Sequence, residues 1–163
     1  MSVHAINPDG TVGREVPQRP SIDAGIYAHQ VRALPSNRAV VLVTRGNEQT
    51  PSSREDPGAL KVFRFDSGTL SNEISIAPQN GVGFRARHLD FHPTRSWVFL
   101  TLESQNRLQV YRRTDEALEP PPLFSVSTLS DGGANAQGQT TSTVHVHPNG
   151  RFVYVGNRGT PAA

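Results

Sequence analysis

Cysteine is absent from this 163-residue chain. Its absence excludes a disulfide framework, a thiolate metal site and a cysteine nucleophile, and it suits a reducing compartment, so the cytoplasm is the expected setting. Long apolar runs are missing too. No window approaches the roughly 18 consecutive apolar residues of a membrane span, and mean hydropathy is −0.45. The opening MSVHAINPDG shows no basic segment followed by an apolar stretch, so no secretory signal is expected. Lysine is scarce: Lys61 is the only one among 16 basic residues. The arginines are scattered, and the net charge of +2 is small. A nucleic-acid binder shows a basic stripe or interleaved aromatics; neither is present, and neither a nucleic-acid nor a membrane partner is expected.

Helical periodicity is also lacking, and apolar alternation takes its place. Thirteen prolines and 14 glycines cut the chain into short runs, the pattern of an all-β protein. The strands expected are His29 to Leu34, Ala39 to Thr44, Leu60 to Phe65, His88 to Phe91, Trp97 to Leu102, Leu108 to Tyr111, Leu123 to Ser127, Thr143 to His147 and Phe152 to Gly156. Turn chemistry separates them at Asn7-Pro8-Asp9-Gly10, Pro35-Ser36-Asn37, Pro93-Thr94-Arg95 and Pro148-Asn149-Gly150. Gly46 to Gly58 and Ser130 to Gln139 are polar and turn-rich, and both are expected to be long loops.

A repeat underlies this pattern. Pro35, Pro93 and Pro148 each follow a short apolar run and precede an aliphatic strand, at separations of 58 and 55 residues. After the first two, a third strand ends in an aromatic and a charge, at VFRFD and VYRR. A β-sandwich with proline turns is the competing architecture, but alignment over two long intervals favours a β-propeller with about four strands per blade. Residues 1 to about 24 read as the outer strands of a preceding blade. Blades follow at 25–80 and 81–130, and another begins near 140 and runs to 163. About three blades of a presumed seven-bladed ring cannot close, so open blade edges and self-association through them are expected.

Equal offsets within the repeat gather polar residues. Six residues before each proline stand His29, Arg87 and Ser142; ten after it stand Arg45, Glu103 and Arg158. Strand direction puts both offsets at the blade end away from the proline turn, around one mouth of the channel. Guanidiniums in a concave site recognise carboxylate or phosphate. A glutamate or histidine beside them moves a proton, and an arginine stabilises an oxyanion. That set suits opening an anionic lactone, or the reverse closure, with no metal or other cofactor. The alternative is that the charges cap strands and pair among themselves.

Three segments then resemble a known family, the seven-bladed lactonases, which include propeller-type 6-phosphogluconolactonases and carboxymuconate cyclases. They are AHQVRALPSNRAVVLVTRGN, GVGFRARHLDFHPTRSWVFLTLE and STVHVHPNGRFVYVGNRG. The resemblance covers nearly the whole chain but about the middle half of a family member. It implies a site of His29, Arg87, Glu103 and Arg158, with Glu103 or His29 as general base or acid and the arginines on the substrate's acid groups. Arg45 and His88 join as substrate-binding residues. Arg85-Ala86 departs from the family's Gly-Pro before Arg87-His88. The implied partner is a small anionic lactone or carboxylate, and the implied reaction is hydrolysis of a sugar-acid lactone such as 6-phosphogluconolactone. A lactonising cyclase and a non-catalytic binding scaffold are the alternatives. A fragment of this length is expected to be inactive alone.

Other constellations carry less. His145 and His147 share a strand face with His88 and His92 nearby, yet their spacing does not suit a structural metal site, and His92 and His147 sit beside proline turns. Gly81-Val82-Gly83 is too short for a phosphate loop. Ser142 lacks a nucleophile elbow.

Overall fold

A computed structural model describes residues 1–130 and 137–159, with all side chains there except that of Asn72. Strands β1 (His4–Ile6) and β2 (Val12–Glu15) form a hairpin. A four-stranded antiparallel meander follows: β3 (Ala28–Ala33), β4 (Ala39–Thr44), β5 (Ala59–Asp66) and β6 (Thr69–Ile76). After a tight turn at Pro78–Gly81, a second meander comprises β7 (Ala86–Phe91), β8 (Trp97–Leu102), β9 (Arg107–Arg113) and β10 (Leu118–Ser127). Strands β11 (Gln139–Val146) and β12 (Val153–Gly159) pair as a closing hairpin. Most of the expected Ser130–Gln139 loop, residues 131–136, lies outside the described residues.

Two apolar layers hold the sheets face to face. In β4 the run AVVLVT is buried on both sides, because alternate residues point opposite ways along a strand. Val41 and Val43 join Leu60, Val62 and Ile76 against Leu89, Val98, Leu100 and Leu102 of the second meander. Leu42, on the opposite face, packs with Phe63 and Leu70, and Val3 and Ile22 of the N-terminal segment cover them.

The repeat reappears as contacts between corresponding stretches of successive sheets. Arg32 pairs with Asp90 at 3.0 Å, 58 residues on, and Asp90 also accepts the Val146 backbone N–H at 2.8 Å, 56 residues further on. The proline turns are tied the same way. His92 Nδ1 accepts the backbone N–H groups of Thr94 and Arg95, which leaves Nε2 as the donor to Gly150 O at 2.9 Å.

Strand β6 was not among those expected: only three of its eight residues are apolar, and it also carries a β-bulge. Val62 faces Ile74 but Arg64 faces Ser71, so β6 carries one extra residue between its ends. The insertion flips parity: Leu70 points to the layer under the N-terminal segment, and Ile76 to the layer between the two meanders. Alternation read from one end of β6 therefore fails at the other. Strand β10 also begins earlier than expected, at Leu118, because its Pro120–Pro122 run reads as a break.

Candidate functional site

Strands β3, β7 and β11 are the inner edge strands of their sheets, and each carries a β-bulge at the same point of the repeat. Ala28 and Gln30 face adjacent residues Thr44 and Val43, so His29 is the extra residue. Between Ala86 and Leu89, facing Leu102 and Leu100, the extra residue falls at Arg87-His88. Between Thr141 and Val144, facing Asn157 and Val155, it falls at Ser142-Thr143. A bulge breaks the ladder and re-aims side chains, which is why bulges gather near functional sites. Here it turns His29, Arg87 and Ser142 toward the strand end where β4, β8 and β12 deliver Arg45, Glu103 and Arg158.

Glu103 is the centre of the cluster and is 4% exposed. Its Oε2 accepts from Arg45 Nε, and its Oε1 accepts from Arg158. Arg87 Nε lies 3.7 Å from the same Oε1, and Arg87 Nη1 donates to Ser142 Oγ at 2.9 Å. Three sheets thus converge on one carboxylate. Its backbone is held as firmly: the N–H donates to Arg85 O at 2.9 Å, and the carbonyl accepts the Thr141 N–H at 3.0 Å. Thr101, fully buried, continues the brace: its hydroxyl accepts the His88 N–H and lies within hydrogen-bond distance of both His88 O and Ser142 O, to either of which it can donate.

The imidazoles of His29 and His88 meet edge to face, with ring centroids 4.8 Å apart. Tyr27 stands beside His29, and the Arg45 guanidinium lies over the Tyr27 ring. His29 Nδ1 is buried without a hydrogen-bond partner among the described residues.

The charge states follow from these surroundings. Burial pushes the Glu103 carboxyl up, but hydrogen bonds and charge from Arg45 and Arg158 outweigh it and hold the group below its ordinary 4.5. Burial, and then the positive charge of Arg87, lower His29 below 6.5 and bring His88 down to about 4. At neutral pH the mouth therefore carries an ionised carboxylate, three guanidiniums and two neutral imidazoles. Burial and the neighbouring charge of Arg158 also lower Arg87, which is 8% exposed and has no hydrogen-bond acceptor on Nε.

All six residues expected from the sequence come together in this cluster. Of the other histidines singled out from the sequence, His145 Nε2 bonds Thr143 Oγ1, and His147 packs on Phe152 and Tyr154. The sequence reading missed the acidic residues of the 46–58 loop. Glu48 accepts from Arg45 Nη2 at 2.6 Å and from Ser104 at 3.3 Å. Glu55 accepts from Arg85 at 2.9 Å and from the Gly83 N–H at 2.5 Å. Neither has a counterpart in the next repeat, so equal offsets could not find them. The only signal was three carboxylates, Glu48, Glu55 and Asp56, against one arginine, Arg54, in a turn-rich stretch.

Stacked antiparallel meanders with a polar cluster at the ends of their inner strands are the parts of an incomplete propeller. The sequence profile of the lactonase, seven-bladed β-propeller family matches residues 1–162, and the chain belongs to that family. Among particular proteins, it is similar to a 6-phosphogluconolactonase of Pectobacterium carotovorum, at 25% identity over 97% of this chain and 43% of that protein. A 6-phosphogluconolactonase of Bacillus subtilis is 31% identical over 82% of this chain and 34% of its own length. The chain thus spans less than half the length of these relatives. Among solved structures, a Pseudomonas aeruginosa periplasmic gluconolactonase superposes with a TM-score of 0.68 at 18% identity, over 97% of this chain and 43% of that one. A putative 6-phosphogluconolactonase from Bacteroides uniformis superposes at 0.65 and 17% identity, over 96% and 43%. Both likenesses describe the fold.

Proposed function

We propose that this chain supplies the catalytic mouth of a lactonase that hydrolyses an anionic sugar-acid lactone such as 6-phosphogluconolactone. The observation that carries the reading is a buried, ionised Glu103 shared by three arginines beside a neutral His29. In this reading His29 takes a proton from a water molecule, whose oxygen attacks the lactone carbonyl carbon. Arginines stabilise the resulting oxyanion. The ring C–O bond then breaks, and the imidazolium returns its proton to the leaving alkoxide.

Glu103 is a weak base in this setting, since both its oxygens already accept from arginines. Its proposed role is to fix the guanidiniums where charge develops. Arg87 and Arg158 hold the acid group of the substrate, while Arg45 and His88 shape the wall. The cytoplasm is the compartment we propose, and subcellular fractionation tests it.

The activity experiment compares hydrolysis of 6-phosphogluconolactone above its spontaneous rate for the natural-length protein, His29→Asn and Glu103→Gln. Both variants are expected to lose about 100-fold or more. Full activity in His29→Asn rejects histidine as the base, and a natural-length protein that hydrolyses no sugar lactone rejects the reading.

A further inference from the structure

The guanidinium of Arg45 has no vacant nitrogen. Its Nε serves Glu103, Nη1 donates to Gly46 O at 3.3 Å, and Nη2 donates to Glu48 at 2.6 Å. Two of these partners are fixed: Glu103 is buried, and Gly46 O is the next carbonyl of the chain. Glu48 is different. It sits on the 46–58 loop with a side chain 59% exposed, held at the mouth by Arg45 and by the Ser104 hydroxyl. Glu55 moors the same loop on its other side by taking the Gly83 N–H and the Arg85 guanidinium. Arg87 presents the opposite case, a buried cation with a donor to spare.

We propose that Glu48 is a charge-selecting residue that sets how the mouth discriminates between singly and doubly acidic ligands. A ligand with one carboxylate engages Arg87 and Arg158 and leaves the Arg45–Glu48 pair alone. A second acid group, such as a phosphate, needs a further guanidinium, and with those two engaged the one left in the cluster is Arg45. Reaching it means displacing Glu48, and until that happens two negative groups compete for one cation. A carboxylate so placed selects by repulsion, lowering affinity for the more highly charged ligand without touching the less charged one. The class of ligand, a sugar acid with or without phosphate, rests on the lactonase reading; the occupation of Arg45 by Glu48 does not.

The test is titration calorimetry on the natural-length protein and on Glu48→Gln and Glu48→Asp, with gluconate and 6-phosphogluconate as the two probes. Glu48 is an exposed loop residue, so its replacement leaves the core intact. Glu48→Gln is expected to tighten 6-phosphogluconate about threefold to tenfold, the scale of a partly exposed charge-assisted contact, and to leave gluconate unchanged. Glu48→Asp, which keeps the charge, stays near the parent. Equal changes for both probes, or none, overturn the proposal, as does failure of either probe to bind any form. Lactone hydrolysis on the same samples separates the two claims. Selective tightening without hydrolysis keeps Glu48 as selector and rejects the lactonase reading. Hydrolysis without selective tightening does the reverse.

Discussion

Removing water from a carboxylate is costly unless partners of opposite charge replace it, and Glu103 has three of them. Taking its charge away leaves Arg87 buried without the counter-charge that lies 3.7 Å from its Nε. Glu103→Gln is therefore expected to lower unfolding free energy by about 3 kcal/mol, read from urea denaturation. The histidine pair makes a second prediction. In the unfolded chain His88 takes up a proton near 6.5, and in the fold only near 4. Between those values the unfolded state holds more protons, so stability rises with pH there; the contribution is fully present above 6.5 and lost as pH falls to about 4. Glu103, depressed below 4.5, adds a further loss under still more acid conditions. Melting temperature measured from pH 4 to 7 should rise across the window, and His88→Gln should flatten that rise while leaving the acid limb. The proline-anchored repeat made His29, Arg45, Arg87, Glu103 and Arg158 legible in the sequence, because equal offsets in stacked blades meet in space; His88 came with the family resemblance. The three bulges that aim them were not legible: an extra residue in a ladder depends on the partner strand, which no single segment reveals.

Among the elements, the 46–58 loop is shaped by backbone more than by side chains. Gly46 has φ +70°, and a Cβ there would lie 2.2 Å from Asp56 O. Its N–H also donates to Ile26 O at 3.0 Å, fixing where the chain leaves β4. Gly46→Ala combines a left-handed conformation with a backbone clash and is expected to cost about 1–3 kcal/mol in chemical denaturation. Because Arg45 is its neighbour, the variant should also weaken binding of 6-phosphogluconate. Composition alone announced this loop. Strand β6 stayed hidden because only Leu70, Ile74 and Ile76 of its eight residues are apolar, with Asn72 interrupting their alternation. By contrast, β4 and β8 were legible to the residue, since a strand buried on both faces needs an unbroken apolar run and tolerates little else.

At the scale of the whole molecule, the described residues end in two unlike surfaces. Ile6 and Val12 are exposed on the N-terminal hairpin, and Phe152 and Tyr154 on the C-terminal one. We expect the 163-residue chain to associate through these hairpins, with sedimentation velocity showing larger species as concentration rises. A monomer across the accessible range contradicts this. Asp90 bears on how such a stack comes apart. Through Arg32 and the Val146 amide, one side chain on β7 reaches into the sheets before and after its own. A repeat array whose units touch only through apolar faces can fray one unit at a time. A three-way rivet couples the fates of its neighbours, so amides in β3, β7 and β11 should exchange with deuterium as one cooperative unit, and Asp90→Ala should lower the free energy of that shared opening.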